Sequence, residues 1–181
     1  MNPDIIIHAL RFAAEAHQGQ LYPGTQLPYL THITQVMAEV QIALLSETGD
    51  SPKDGELSVL CAILHDTIED TVLTYADIAD AFGQRVADGV DALSKRSDLN
   101  KVDGMTDSLK RIRQQPYAVW KVKLADRICN LQRPPHYWSH DKAILYQEEA
   151  RKILAALHEA SPVLAARLSD KIARYSTLLP D

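Results

Sequence analysis

Between positions 62 and 71 the chain reads Ala-Ile-Leu-His-Asp-Thr-Ile-Glu-Asp-Thr. On a helix His65 and Glu69, and likewise Asp66 and Asp70, stand four apart, so an imidazole and three carboxylates project from one side of one or two turns. Carboxylates this close repel one another and resist leaving water. Unless they are fully solvated they call for a cation, and a divalent metal is the strongest available. The competing reading is a solvated acidic helix end beside a hydrogen-bonded histidine. His32, at the start of a helix after a Pro28-Tyr29 loop, is a second imidazole able to complete a site, although a lone histidine there is structural or exposed more often than it is a ligand. Asp126 lies in the apolar run from Val122 to Leu131, where Lys123 or Arg127 would pair it in a purely structural role, and Asn130 shares its helix face.

The elements that must position these residues are helical. Apolar residues recur at helical spacing from Pro3 to His17, with Gly19 as the stop. Gln20 to Tyr29, with Pro23, Gly24 and Pro28, reads as a loop, and Thr31 offers an N-cap for a helix to about Ser46. Gly49 to Gly55 forms the next break, before a strongly apolar helix from Glu56 to about Asp70. Thr74 and Asp77 resemble a capping box opening a short helix closed by Gly83, and Gln84 to Lys95 forms another. Arg96 to Thr106 is polar, weakly patterned and expected to be a mobile rim. Helices follow over Ala118 to Leu131, over about Asp141 to Ala160 capped near Ser139, and from Ser161-Pro162 to about Leu178. No segment alternates as a strand would, and no repeat, GxGxxG or P-loop is present. One all-α domain over 1–181 is expected.

Composition narrows the partners. A hydrophobic fraction of 46% supports a packed core, and a net charge of −5 argues against nucleic acid or an anionic membrane as partner, since both need clustered Lys and Arg. Cys61 and Cys129 lie far apart in apolar patterns and read as buried, reduced thiols. The short run Ile5-Ile6-Ile7 lacks a basic leader and no apolar stretch would span a bilayer, so a cytoplasmic protein is expected.

Taken together, these residues resemble a family. The segments Ala14-Glu15-Ala16-His17-Gln18-Gly19-Gln20, Pro28-Tyr29-Leu30-Thr31-His32, His65 to Thr71, Phe82-Gly83, and Lys123-Leu124-Ala125-Asp126-Arg127 with Asn130-Leu131 are similar, in order, to the HD-type hydrolase domain of the RelA/SpoT homologues. The likeness is strongest to the small stand-alone alarmone hydrolases, including the metazoan SpoT homologue; Tyr146 and Ala150 continue it. The resemblance implies an HD-domain helical bundle in which His32, His65, Asp66 and Asp126 hold a divalent metal, usually manganese, a donor set that suits such an ion. It implies that Glu69 and Asp70 position and deprotonate the attacking water. The implied reaction hydrolyses the 3′-pyrophosphate of a nucleotide alarmone, and a hydrolase-only chain, open to homo-oligomer formation, is expected.

One departure bears on the substrate. Where the family loop carries adjacent Arg-Lys, this chain has Leu21-Tyr22-Pro23, which weakens the expected guanine contact and leaves Tyr22 as a stacking face. The expected substrate is therefore (p)ppGpp or (p)ppApp. Lys95, Asn130, Lys142 and Tyr146 are the further candidates for substrate contact. Two other readings remain open at this point: another HD phosphohydrolase of nucleotidase or NADPH-phosphatase type, and a nucleotide-binding sensor without turnover.

Overall fold

The computed structural model describes residues 1–178, and at Lys101 the backbone alone. Residues 179–181 of the expected domain span lie outside the described residues. The helices in chain order are α1 (Pro3–Ala16), α2 (Leu30–Ser46), α3 (Pro52–Leu64), α4 (Thr67–Asp70), α5 (Tyr75–Phe82), α6 (Gln84–Leu93), α7 (Lys101–Ile112), α8 (Tyr117–Asn130), α9 (His140–Leu157) and α10 (Pro162–Tyr175). Short 3₁₀ turns follow at His158–Ala160 and Ser176–Leu178. The class is all-α, as expected: among the described residues there is no strand, only an isolated antiparallel bridge between Leu21 and Pro28. Among them, too, no helix is long and apolar enough to cross a membrane.

Two helices form the centre. In α3 every residue from Leu57 to Leu64 is buried, and in α8 every residue from Ala118 to Cys129 is. A helix buried on all sides must be enclosed by others. α2 supplies one wall through Ile33, Val36, Val40 and Ala43, spaced for one helix face, and α2, α3 and α8 pack against one another. Cys61 and Cys129 are buried free thiols within this core, as the sequence suggests. The charges that α8 carries inward are paired: Lys121 with Asp50 and Glu47, Lys123 with Asp126, Arg127 with Glu149. α6 lies close enough to both central helices that a Cβ on Gly89 would stand 2.7 Å from Cys61 Sγ and 3.0 Å from a Val119 methyl.

Three expectations need correction. The central helix begins at Pro52 rather than Glu56, because Ser51 caps it by accepting from the Asp54 N–H at 3.1 Å, with Pro52 in the first turn, where its missing N–H costs nothing. It also does not run unbroken to Asp70. At Asp66 (φ −101°, ψ −1°) the helix is interrupted, and α4 starts afresh. Thr67 Oγ1 donates to the Leu64 carbonyl at 2.6 Å and His65 Nδ1 to the Ala62 carbonyl at 2.9 Å, so side chains occupy carbonyls the helix would otherwise use.

The third correction concerns the expected mobile rim. From Lys101 onward it is helical: Asn100 Oδ1 accepts from the Val102 and Asp103 N–H groups at 3.1 and 3.0 Å. Met105, Ser108 and Ile112 face inward, and Ser108 Oγ donates to the Ala92 carbonyl at 2.8 Å. A serine in the buried stripe hides the period that would reveal it. The remaining boundaries fall within one to three residues of expectation, and the Thr74–Asp77 capping box makes both of its bonds.

Candidate metal centre and cleft

The carboxy-terminal ends of the two central helices meet the start of α2. His65 closes α3, Asp66 sits in the break beyond it, Asp126 lies in the last turn and a half of α8, and His32 in the first turn of α2. Helix carboxy-termini favour positive charge, so two of them converge where a cation would be held. His32, His65 and Asp66 each offer one ligand atom, all within 4.8 Å of one another. Asp126 joins them: its Oδ1 lies 3.5 Å from His32 Nε2 and 3.8 Å from His65 Nε2. Asp66 Oδ2 stands 2.9 Å from His65 Nε2 and 3.6 Å from His32 Nε2.

The residues fit a divalent ion on chemistry as well as spacing. Because a carbonyl can only accept, the His65 Nδ1–H must donate to Ala62, which leaves the Nε2 lone pair of the neutral ring facing the centre. The two Nε2 atoms approach to 3.3 Å, so the His32 atom faces the same point, where either a shared proton or a metal ion can sit between the rings. Burial alone would lower the pKa of His32, but Asp126 and Asp66 overcome it and push it up to about 9. Burial also works against charge on His65, and Asp66 again outweighs it, so this pKa too is raised. Against the opposing effect of burial, His65 and His32 hold Asp66 well below the usual carboxylate range, and Lys123 and His32 do the same for Asp126. The two carboxylates therefore stabilise positive charge at one point, on the imidazoles or on an ion that takes the place of their protons.

Neighbouring side chains fix these donors. Asn130 Nδ2 and Lys123 Nζ both donate to Asp126. The Tyr29 hydroxyl donates to Asp66 Oδ2 at 2.6 Å and reaches Asp70 Oδ2 at 3.5 Å. Its ring stacks on His17, centroids 4.8 Å apart, and Gln20, which bonds His17, also donates to the Asp70 carbonyl at 2.7 Å. Tyr29 was not singled out as a site residue from the sequence, although it lies in the Pro28–His32 segment that carries the resemblance. Beside the centre, Glu69 is held by Lys95 through both the backbone N–H and the ammonium. Asp70 is different: burial, then the charges of Asp66 and Glu69, push its pKa up to about 6.

These groups open into a cleft of about 1080 Å³. Of the candidate substrate contacts, Tyr22, Lys95, Asn130 and Tyr146 line it. Tyr22 is fixed there by its hydroxyl, which donates to the Cys129 carbonyl at 2.9 Å, and by its ring against that of His32. Tyr146 lies beneath the Arg127 guanidinium, 4.1 Å from its ring centroid. Lys142 is not among the lining residues; its ammonium sits over the Trp138 ring on the exposed first turn of α9. Lys123, Arg127, Arg133 and Trp138 line the cleft without having been singled out as substrate contacts.

A model of the HD domain family matches residues 9–163. The chain is 35% identical over 154 residues to a GTP pyrophosphokinase of Myxococcus xanthus, covering 80% of this chain but only 19% of that longer protein. It is 27% identical over 169 residues to a guanosine-3′,5′-bis(diphosphate) 3′-pyrophosphohydrolase of Danio rerio, covering 91% and 90% of the two chains. Among solved structures, a metazoan ortholog of SpoT that hydrolyses ppGpp superimposes with a TM-score of 0.82 over 99% of each chain at 24% identity. That likeness shows the fold.

Proposed function

Since the chain belongs to the HD-domain family, we propose that it is a divalent-metal phosphohydrolase that removes the 3′-diphosphate of a purine nucleotide alarmone, (p)ppGpp or (p)ppApp, as pyrophosphate. The observation that carries the reading is the convergence of His32 from α2, His65 and Asp66 from the end of α3, and Asp126 from α8, with Asp66 and Asp126 lining a cleft and two further carboxylates beside them. The alignment with the Danio rerio pyrophosphohydrolase, which runs almost the full length of both chains, supports the substrate class.

In this reading His32, His65, Asp66 and Asp126 are the ligands, and manganese or a similar ion, when bound, supplies Lewis acidity to the phosphoryl group and acidity to its water. Asp70, whose pKa is pushed up to about 6, takes the proton of the attacking water. The water oxygen forms a bond to the phosphorus next to the ribose 3′-oxygen, and the bond between that phosphorus and the 3′-oxygen breaks. Pyrophosphate leaves, and Asp70 returns its proton to the 3′-oxygen. Glu69, restrained by Lys95, orients the water. Tyr22 offers an aromatic ring to the base, Tyr146 backs the cleft wall beneath Arg127, and Asn130 keeps Asp126 in place.

The loop from Gln20 to Pro28 presents no Lys or Arg to the cleft, and this favours a second reading, phosphate removal from a phosphorylated dinucleotide such as NADPH. One experiment separates them: a manganese-supplemented screen of guanosine and adenosine 3′-diphosphate nucleotides, 5′-nucleotides and NADP(H), resolving pyrophosphate from orthophosphate. Pyrophosphate from a 3′-diphosphate nucleotide is expected. Orthophosphate alone would favour the second reading, and tight nucleotide binding without product would make the protein a sensor.

A further inference from the structure

Among the described residues four side chains of fixed positive charge line the cleft: Lys95, Lys123, Arg127 and Arg133. Three are already committed. Lys95 is bound to Glu69 at 2.6 Å, Lys123 to Asp126 at 3.3 Å, and Arg127 to Glu149 at 3.6 Å and to the face of Tyr146. Arg133 is exposed and makes no hydrogen bond or ion pair within the described residues. An arginine left without an acid, on the wall of a cleft otherwise rich in carboxylates, is free to meet an anion from outside.

The backbone beneath it is braced. Arg133 precedes Pro134-Pro135, whose rings restrict the chain. The Trp138 N–H donates to the Pro135 carbonyl at 2.9 Å, and the Trp138 ring meets that of Tyr146 edge-on at 5.1 Å. From the opposite wall Gly24 abuts Pro135 so closely that a Cβ there would lie 3.3 Å from the proline ring. The facing loop, Gln20 to Pro28, holds no Lys or Arg to share the task. A guanidinium carried on such a backbone can take a phosphate by two parallel hydrogen bonds.

We propose that Arg133 is the specificity-determining contact for the phosphates at the 5′ end of the nucleotide. This rests on the reading above, in which the 3′-diphosphate occupies the centre beside Lys95 and Lys123. The 5′-phosphates are then the second concentration of charge in the substrate, and Arg133 is the cation not yet paired.

The test is a substrate series at fixed base: nucleoside 3′-diphosphates bearing two, one or no 5′-phosphates, turned over by the manganese-loaded wild type, Arg133→Gln and Arg133→Lys. Arg133→Gln is expected to lose roughly 10- to 100-fold in kcat/KM on the 5′-diphosphate, carried by KM, with the loss shrinking stepwise as 5′-phosphates are removed. Arg133→Lys should recover part of it. An equal loss across the series would assign Arg133 to the base, and no loss on the 5′-diphosphate would remove it from the site; either overturns the proposal. Should the wild type turn over none of the series, the functional reading fails, and Arg133 is judged by calorimetric binding of ADP and GDP. A tenfold weakening in Arg133→Gln would then sustain it, and equal affinity would overturn it.

Discussion

Lys95 grips both oxygens of Glu69: its backbone N–H reaches Oε2 at 2.8 Å and its ammonium Oε1 at 2.6 Å. The carboxylate stands one turn beyond Asp66, restrained and charged, yet outside the His–Asp cluster. Glu69→Gln keeps the shape and removes the charge. Turnover should fall by roughly 10²–10⁴-fold while elemental analysis finds as much manganese as in the wild type. His65→Ala, by contrast, should lose the metal as well. Wild-type rates in Glu69→Gln would end its assignment to the reaction.

Tyr29 acts on the centre through Asp66. Removing its hydroxyl in Tyr29→Phe leaves the ring on His17 but takes away the 2.6 Å bond to Asp66 Oδ2. Such bonds hold ligand carboxylates in orientation, and their loss costs about 10–100-fold in metal affinity. Competition of the variant with a metal chelator should show that weakening with no change in the unfolding midpoint of the metal-free protein larger than a few degrees. Unaltered affinity would mean that Tyr29 serves only the fold.

Asp70 carries a cost that depends on pH. Its folded pKa lies near 6, raised first by burial and then by Asp66 and Glu69, above the unfolded value of 3.8. Folding therefore favours the protonated acid. The penalty is absent at about pH 3, where the group is protonated in both states, grows as pH rises from 3.8 to 6, and is complete above that. Asp70→Asn should melt higher than the wild type at pH 7.5 in the absence of metal, by roughly 1–3 °C, since solvent screening limits the gain. At pH 3 the difference should vanish. A gain of equal size at both pH values would trace to packing, not charge.

Gly89 tests the approach of α6 to the core. Alanine would gain helix propensity of about 1 kcal/mol, but its Cβ would fall 2.7 Å from Cys61 Sγ in a fully buried place. Overpacking of this kind costs about 1–3 kcal/mol, so Gly89→Ala should lower the midpoint of thermal unfolding by several degrees. A higher midpoint would show that α6 can move away freely.

What was legible in the chain, and what was not, follows from where the signal lay. The apolar runs around His65 and Asp126 marked helices, and these, α3 and α8, are buried on every side along most of their length. His32, His65, Asp66 and Asp126 were visible as residue types and by resemblance, while their meeting within 3.8 Å is a product of helix packing that no spacing contains. The break at Asp66 was invisible because His65 and Thr67 cause it with hydrogen bonds to carbonyls, not with a proline or glycine. The helix from Lys101 was hidden because Ser108 stands in its buried stripe. Lys142 and Arg133 look alike on paper as exposed cations; only the turn of the backbone puts one over Trp138 and the other on the cleft wall.

The centre takes its donors from three helices that also carry the core, so an ion seated there would be a rivet as much as a reagent. Residues 32, 65, 66 and 126 would be cross-linked in the folded chain alone, and each tenfold rise of free ion above its dissociation constant would add about 1.4 kcal/mol to the work of unfolding. A cell short of that ion would then lose more than a reaction rate, because the emptied protein would open more often and reach proteases sooner. Abundance and activity would rise and fall with the same supply.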